Sequence, residues 1–305
     1  MSSTHKKRGP LTALRGLAHW FEIFVLKRER VQVRISKPPL DLCVKANTIF
    51  SWHLSKYHQW EPDITEWMTA TYAGQRIVFI DVGANLGWFS CVMAKICEPD
   101  SYIMAIEPGE MNLPFLTENI ARNSINNVRV IERAMGARQG TALLNSGPPG
   151  NPGMHSIVKM EHLSDEEAQQ VNVSTLDAEC RTIPGDIDLI KIDVEGYELD
   201  VLRGAQLTLQ RTQTVVLEYS PTFLRAAGNE PFALIEFLRD LGFDFFEIDA
   251  NHLVASDVES LRRRTLEATA PFIQWMLICR RVRMSAQPSQ ILSSRLPSIA
   301  HSASH

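Results

Sequence analysis

The chain has 305 residues, long enough for one large α/β domain with additions, and its apolar (45%) and charged (22%) fractions are ordinary for a globular protein. A formal net charge of −4 gives no electrostatic case for nucleic acid as a partner. The five scattered cysteines are odd in number and contain no C-x-x-C pair, so they offer no zinc spacing and no disulfide framework. Reduced thiols in a cytoplasmic protein are the expectation.

In chain order, residues 1–30 are basic and amphipathic. Lys6, Lys7, Arg8 and Arg15 lead into a mostly apolar run, Leu17 to Leu26, interrupted by His19 and Glu22 and closed by Lys27-Arg28-Glu29-Arg30. That pattern is not a signal peptide, and no stretch reaches the roughly 18 apolar residues of a membrane span. Leu11, Leu14, Leu17, Phe21 and Val25 share one helical face. The expectation is that this face packs on the rest of the protein; peripheral membrane contact through residues 11–26 is the alternative.

Alternation predicts a strand over Val31 to Ile35, and Pro38-Pro39 breaks it. The aromatic-rich stretch up to residue 75, with a helix from Pro62 to Tyr72, reads as a cap. From Arg76 strands and helices alternate. Ile77 to Ile80 is an apolar run suited to a strand buried on both faces, Asp81 ends it, and a helix follows from Trp88 to Ile96. Further strands are predicted at 102–106, 128–131, 188–193, 214–219, 243–248 and 272–279, and helices at 110–122, 195–209 and 232–241. This is the pattern of an α/β protein with a Rossmann-like, doubly wound and mostly parallel sheet. The predicted organisation is an extension over 1–75, a domain over 76–282, and a disordered tail over 283–305, rich in Ser, Pro and His.

Asp81-Val-Gly-Ala-Asn-Leu-Gly87 joins the first of these strands to its helix. Such a turn aims backbone N–H groups and a helix N-terminus at a ligand, and Gly83 and Gly87 let the backbone approach without a Cβ in the way. It is not the dinucleotide fingerprint, because Asn85 and Trp88 stand where that motif has glycine. Glu107 ends the next strand, where a carboxylate meets the hydroxyls of a ribose. Glu132-Arg133 ends the third, beside the position of a nucleobase. Asp193 and Glu195 end the strand at 188–193, where paired carboxylates can attract a cation, hold a metal or take a proton from a hydroxyl. Lys191 alternates with Ile190 and Ile192 and suits a structural ion pair.

The segments D-V-G-A-N-L-G-W-F-S, I-E-P, V-S-T-L-D, D-L-I-K-I-D-V-E-G-Y-E and V-V-L-E-Y-S-P together resemble the FkbM family of methyltransferases over roughly residues 76–250. The resemblance implies S-adenosylmethionine as cofactor and O-methylation of a small-molecule or glycan acceptor, such as a sugar, a glycolipid or a polyketide-like molecule. It implies cofactor binding by Asp81, Gly83, Asn85, Gly87 and Glu107; the adjoining Ala84 and Pro108, Glu132 and Arg133 at the end of the third strand, and Asp193 complete the expected cofactor set. Catalysis would fall to Asp193 and Glu195, with His155, in a loop that matches the family, as a further candidate base; no metal ligands are assigned. The alternatives are a metal-dependent glycosyltransferase using the acidic pairs Asp186/Asp188 and Asp193/Glu195, and a non-catalytic nucleoside-binding scaffold. Asp186 and Asp188 precede their strand and so belong to the wrong sheet edge, which weakens the first. No G-x-S-x-G elbow or P-loop supports a hydrolase or NTPase, and the D/N-P-P-Y/F motif of amino-group methyltransferases is absent.

Overall fold

The computed structural model describes residues 10–146, 155–158, 164–250, 252–270 and 273–281. The predicted tail at 283–305 lies outside them, as do Lys6, Lys7 and Arg8. The first segment is α1 (Pro10–Trp20), running into a π-helical turn (Phe21–Val25), followed by a hairpin of β1 (Arg30–Ser36) and β2 (Pro39–Lys45). Burial along β1 alternates strictly, with Val31, Val33 and Ile35 inward, as the period of the sequence requires. Next come α2 (Ile49–Tyr57), whose N-cap Thr48 accepts at its hydroxyl from the Ser51 amide at 3.0 Å, and α3 (Pro62–Tyr72), with proline in its first turn.

The domain then runs β3 (Val78–Val82), α4 (Trp88–Ile96), β4 (Tyr102–Ile106), α5 (Leu113–Arg122) and β5 (Val128–Ile131). A small second sheet follows, made of β6 (Ala134–Met135), β7 (Gly140–Ser146), β8 (His155–Ser156) and β9 (Ser164–Ser174). The chain returns through α6 (Leu176–Glu179) to β10 (Ile187–Ile192), α7 (Glu198–Arg203), α8 (Gln206–Gln210), β11 (Thr212–Tyr219), α9 (Pro221–Ala226) and α10 (Phe232–Asp240). It closes with β12 (Phe243–Asp249), β13 (His252–Ala255), α11 (Val258–Glu267) and β14 (Trp275–Arg281).

The main sheet has the order β13-β12-β14-β11-β10-β3-β4-β5. The strands from β11 to β5 are parallel, whereas β14 runs antiparallel between β11 and β12. Side-chain alternation sends Ile80, Val82, Ile190 and Ile192 into one apolar core and Phe79, Leu189 and Val216 into the other. The second core also contains Val31, Leu42, Leu54 and Trp67, so β1, β2, α2 and α3 share their interior with the sheet.

Three expectations change in the structure. The predicted helix over 195–209 is two short helices meeting at Gly204, where a Cβ would lie 2.0 Å from the Gly136 carbonyl oxygen. The helix expected from residue 110 begins at Leu113. The five apolar residues named on the α1 face do not pack on the protein: Leu11, Leu14, Leu17, Phe21 and Val25 are all exposed.

Candidate functional site

The carboxyl ends of β3, β4 and β10 open onto a cavity of about 570 Å³, within the range of small-molecule sites. Its floor is the glycine turn. Gly83 has φ +82°, and a Cβ there would lie 1.9 Å from the Asp193 carbonyl oxygen, so only glycine lets the turn after β3 lie against the end of β10. The Gly83 and Ala84 amides both donate to Ile106 O at 2.9 Å, and the Asn85 amide donates to Glu107 Oε2 at 2.8 Å; Asn85 itself is left-handed at φ +53°.

Glu107 is buried and accepts at Oε1 from the Gly109 amide (2.9 Å) and from Asn112 Nδ2 (3.2 Å). Burial nevertheless pushes its carboxyl up to about 7. Asn112 Nδ2 also lies 3.1 Å from His155 Nδ1, which must then accept and leave the ring proton on Nε2. Burial holds His155 down to about 4, so the ring is neutral. His155 lines the cavity from the Glu107 side, by Gly109 and Asn112, and makes no hydrogen bond to Asp193 or Glu195.

The opposite wall carries the charge. Asp81 and Lys191 are register partners on adjacent strands and face α4. Asp81 is fully buried and accepts from Ser90 Oγ at 2.6 Å, while its Oδ1 is buried without a partner. Lys191 is 1% exposed, its Nζ 2.8 Å from Asp193 Oδ2 and 4.6 Å from the centre of the Phe89 ring. Desolvation works against its charge, but Asp193, Glu61 and Asp81 outweigh that and raise the ammonium above its ordinary value. Around this cation Glu61, Asp193, Glu195 and Glu218 line the same cavity. Burial, then the neighbouring carboxylates, drives Glu195 and Glu218 well above the usual range; Glu61 is pushed to about 7 by burial, with Lys191 opposing. One oxygen from each of Asp193, Glu195 and Glu218 falls within 4.8 Å of the others, a spacing that fits a divalent ion.

The loop carrying Asp193 and Glu195 is held by hydrogen bonds from both sides. Glu195 is left-handed at φ +53°, its carbonyl accepting from Ser156 Oγ at 2.7 Å. Glu198 Oε1 accepts from the Val194 and Gly196 amides at 3.3 and 3.0 Å. D-V-E-G-Y-E thus caps its own turn, and β8 clamps it from outside.

Gly83, Ala84, Asn85, Glu107, Pro108, Arg133, His155, Asp193 and Glu195 meet at this one cavity. Asp81 and Gly87 lie behind the turn, Gly87 packed on Leu116. Glu132 is exposed and does not line the cavity, because β5 ends at Ile131 and turns it to solvent. Sequence reasoning assigned no role to Glu61, Glu218, Asn112 or Gln274. Glu218 nearly ends β11 as Asp193 follows β10, a parallel that marks it in hindsight. Asp188 accepts from the Val78 amide at 2.8 Å at the far sheet edge, remote from the acids of the cavity.

The donor set fits a nucleoside cofactor: a cradle that a Cβ would fill, a buried carboxylate ringed by amides, and an unpartnered buried Asp81 oxygen beyond it. Residues 81–245 match the Methyltransferase FkbM domain. Methyltransferase 1 of Beauveria bassiana is 28% identical over 144 residues, covering 41% of this chain and 57% of its own length. Hexuronic acid methyltransferase AglP of Haloferax volcanii is 28% identical over 144 residues, with 46% and 55% covered. Methyltransferase sdnD of Sordaria araneosa is 29% identical over 196 residues, with 54% and 73% covered. The chain thus spans just over half the length of the first two. Among solved structures, an S-adenosylmethionine-dependent O-methyltransferase from Thermotoga maritima aligns with a TM-score of 0.41 at 10% identity, over 86% of this chain and 82% of that one. The chain belongs to the FkbM methyltransferase family, and the cofactor of that chemistry is S-adenosylmethionine.

Proposed function

We propose that the protein is an O-methyltransferase acting on a hydroxyl of a sugar, glycolipid or polyketide-like acceptor. The observation that carries this reading is the division of one cavity into a nucleoside end at Glu107 and a carboxylate end at Asp193, Glu195 and Glu218. When bound, S-adenosylmethionine supplies an electrophilic methyl group on a sulfonium. The Gly83–Gly87 turn and Glu107 hold the nucleoside, and the acidic wall favours a cation. Asp193, oriented by Lys191, is the proposed acceptor of the hydroxyl proton when the methyl group's bond to sulfur is exchanged for one to the acceptor oxygen, leaving the neutral thioether. The three clustered carboxylate oxygens support a second version, in which they hold a divalent ion that acidifies the hydroxyl. The hexuronic acid methyltransferase among the relatives supports a sugar acceptor, and five buried free thiols support a cytoplasmic setting.

Incubation with methyl-labelled cofactor and a fractionated extract of the source cells tests the reading. A labelled, base-stable ether product is expected; label on nitrogen would overturn it, and a chelator that stops turnover selects the metal version.

A further inference from the structure

Between Leu11 and Val25, His19 and Gly16 face the protein and most of the apolar residues face solvent, while Ile23 packs on the second core. His19 is only 3% exposed, with Nε2 3.4 Å from Ser51 Oγ on α2, and Gly16 faces the Lys56 side chain. On the other side Leu11, Leu14, Leu17, Trp20, Phe21 and Phe24 are 49–63% exposed. A helix built only to pack here would bury those residues and expose the polar ones. α2, which packs on α1, adds exposed Ile49 and Trp52, and Ile49 also lines the mouth of the cavity.

The charge says what covers this face. Residues 1–30 contain seven Lys and Arg against two Glu, although the whole chain is net −4. Lys27 is exposed just past the apolar face, beside Arg28 and Arg30, which are exposed but paired with Glu22 and Glu118, and Lys56 Nζ lies 4.1 Å from the Trp52 ring centre. A second copy would bring like charges together across a two-fold axis, whereas an anionic lipid surface complements them. The exposed Trp20 and Trp52 suit the headgroup layer.

We propose that the apolar face of residues 11–26, with Ile49 and Trp52, docks on an anionic bilayer surface. The cavity mouth is then held against the membrane and takes its acceptor, an amphiphile, from there. The acceptor clause rests on the methyltransferase reading; the docking does not.

The full chain is to be sedimented with phosphatidylcholine vesicles containing about one-third phosphatidylglycerol, and with phosphatidylcholine alone. Binding to the anionic vesicles, weakened by salt, with tryptophan emission quenched by brominated lipid, is expected. The L14E/L17E variant, altered only at exposed positions, is expected to bind about tenfold more weakly or worse while keeping the parent's thermal shift with S-adenosylhomocysteine. No binding by the parent, or equal binding by the variant, overturns the proposal. So does a parent dimer that L14E/L17E dissociates, which makes the face a contact between copies, or binding that emerges only when residues 283–305 are removed. Vesicle binding without any cofactor-induced shift would sink the enzyme reading and leave the docking standing.

Discussion

At the scale of single residues, the site depends on the buried Lys191 cation set among five acidic side chains, Glu61, Asp81, Asp193, Glu195 and Glu218. Lys191 fixes one oxygen of Asp193, so replacing Asp193 by Asn keeps shape while removing the charge that both Lys191 and the reaction need. Turnover of D193N is expected to fall about 10²-fold or more, with cofactor affinity from calorimetry changed far less; parental turnover would pass the role to Glu195 or Glu218. Glu107 carries a second prediction. In the free protein its carboxyl is held near 7 by burial, and donated ribose hydroxyls favour the ionised form, so cofactor binding releases a proton. Affinity is expected to tighten as pH rises from 6 to 8, and Glu107→Ala to weaken binding by about 1–3 kcal/mol and flatten that slope. The positions of Glu107 and Asp193 were legible because an apolar run before each marks a buried strand and its carboxyl end; Asp81, expected to end its strand, lies one residue inside β3. Glu61 was not legible: it sits in a left-handed turn ahead of Pro62, outside any periodic pattern. Lys191 read as a structural ion pair because alternation gives its direction but not that the direction leads beneath α4 to Phe89.

At the scale of elements, the turn after β10 shows how a motif can be self-supporting. Glu198 is buried, accepts two amides of the loop and is pushed up to about 7, mainly by burial. A carboxyl raised from its ordinary value of 4.5 keeps its proton longer folded than unfolded. Its contribution to stability therefore falls as pH rises from about 4.5 to about 7 and stays lost above that, on the order of 3 kcal/mol at most. Glu198→Gln retains the accepting oxygen. Its melting temperature is expected to decline less than the parent's between pH 5 and 8 in the absence of ligand; parallel curves would show that Glu198 titrates normally. Helices and strands with unbroken apolar periodicity, such as α3, α4 and β4, carry the boundaries the sequence predicts. The second sheet is not legible in the sequence because β7 lacks a regular apolar alternation, β9 is largely polar, and β6 and β8 are two residues each.

At the scale of the molecule, alternation of strands and helices specified the parallel half of the sheet. It did not specify the reversal at β14, because an interior strand such as this one, with Leu277, Ile278 and Cys279 buried in succession, reads as the same apolar run whichever way it points. Nor could it tell that α1 would be mounted with its polar face inward, since amphipathicity marks a face and not which side the protein takes. What joins the two ends of the cavity is the pairing of β3 with β10, including Val78 N to Asp188 Oδ2 across 110 positions of sequence. The nucleoside end is far more local: Asn85 and Glu107 are 22 positions apart.

That contrast has a kinetic consequence. Closing the longer loop carries the greater entropic cost and belongs to the slow part of folding, so during refolding the Glu107 end should organise before Lys191 and Asp193 reach it. Stopped-flow refolding is expected to show helical signal early and competence to bind S-adenosylhomocysteine only in a later phase. Competence recovered with the first amplitude would mean that the glycine turn holds the cofactor without β10 behind it.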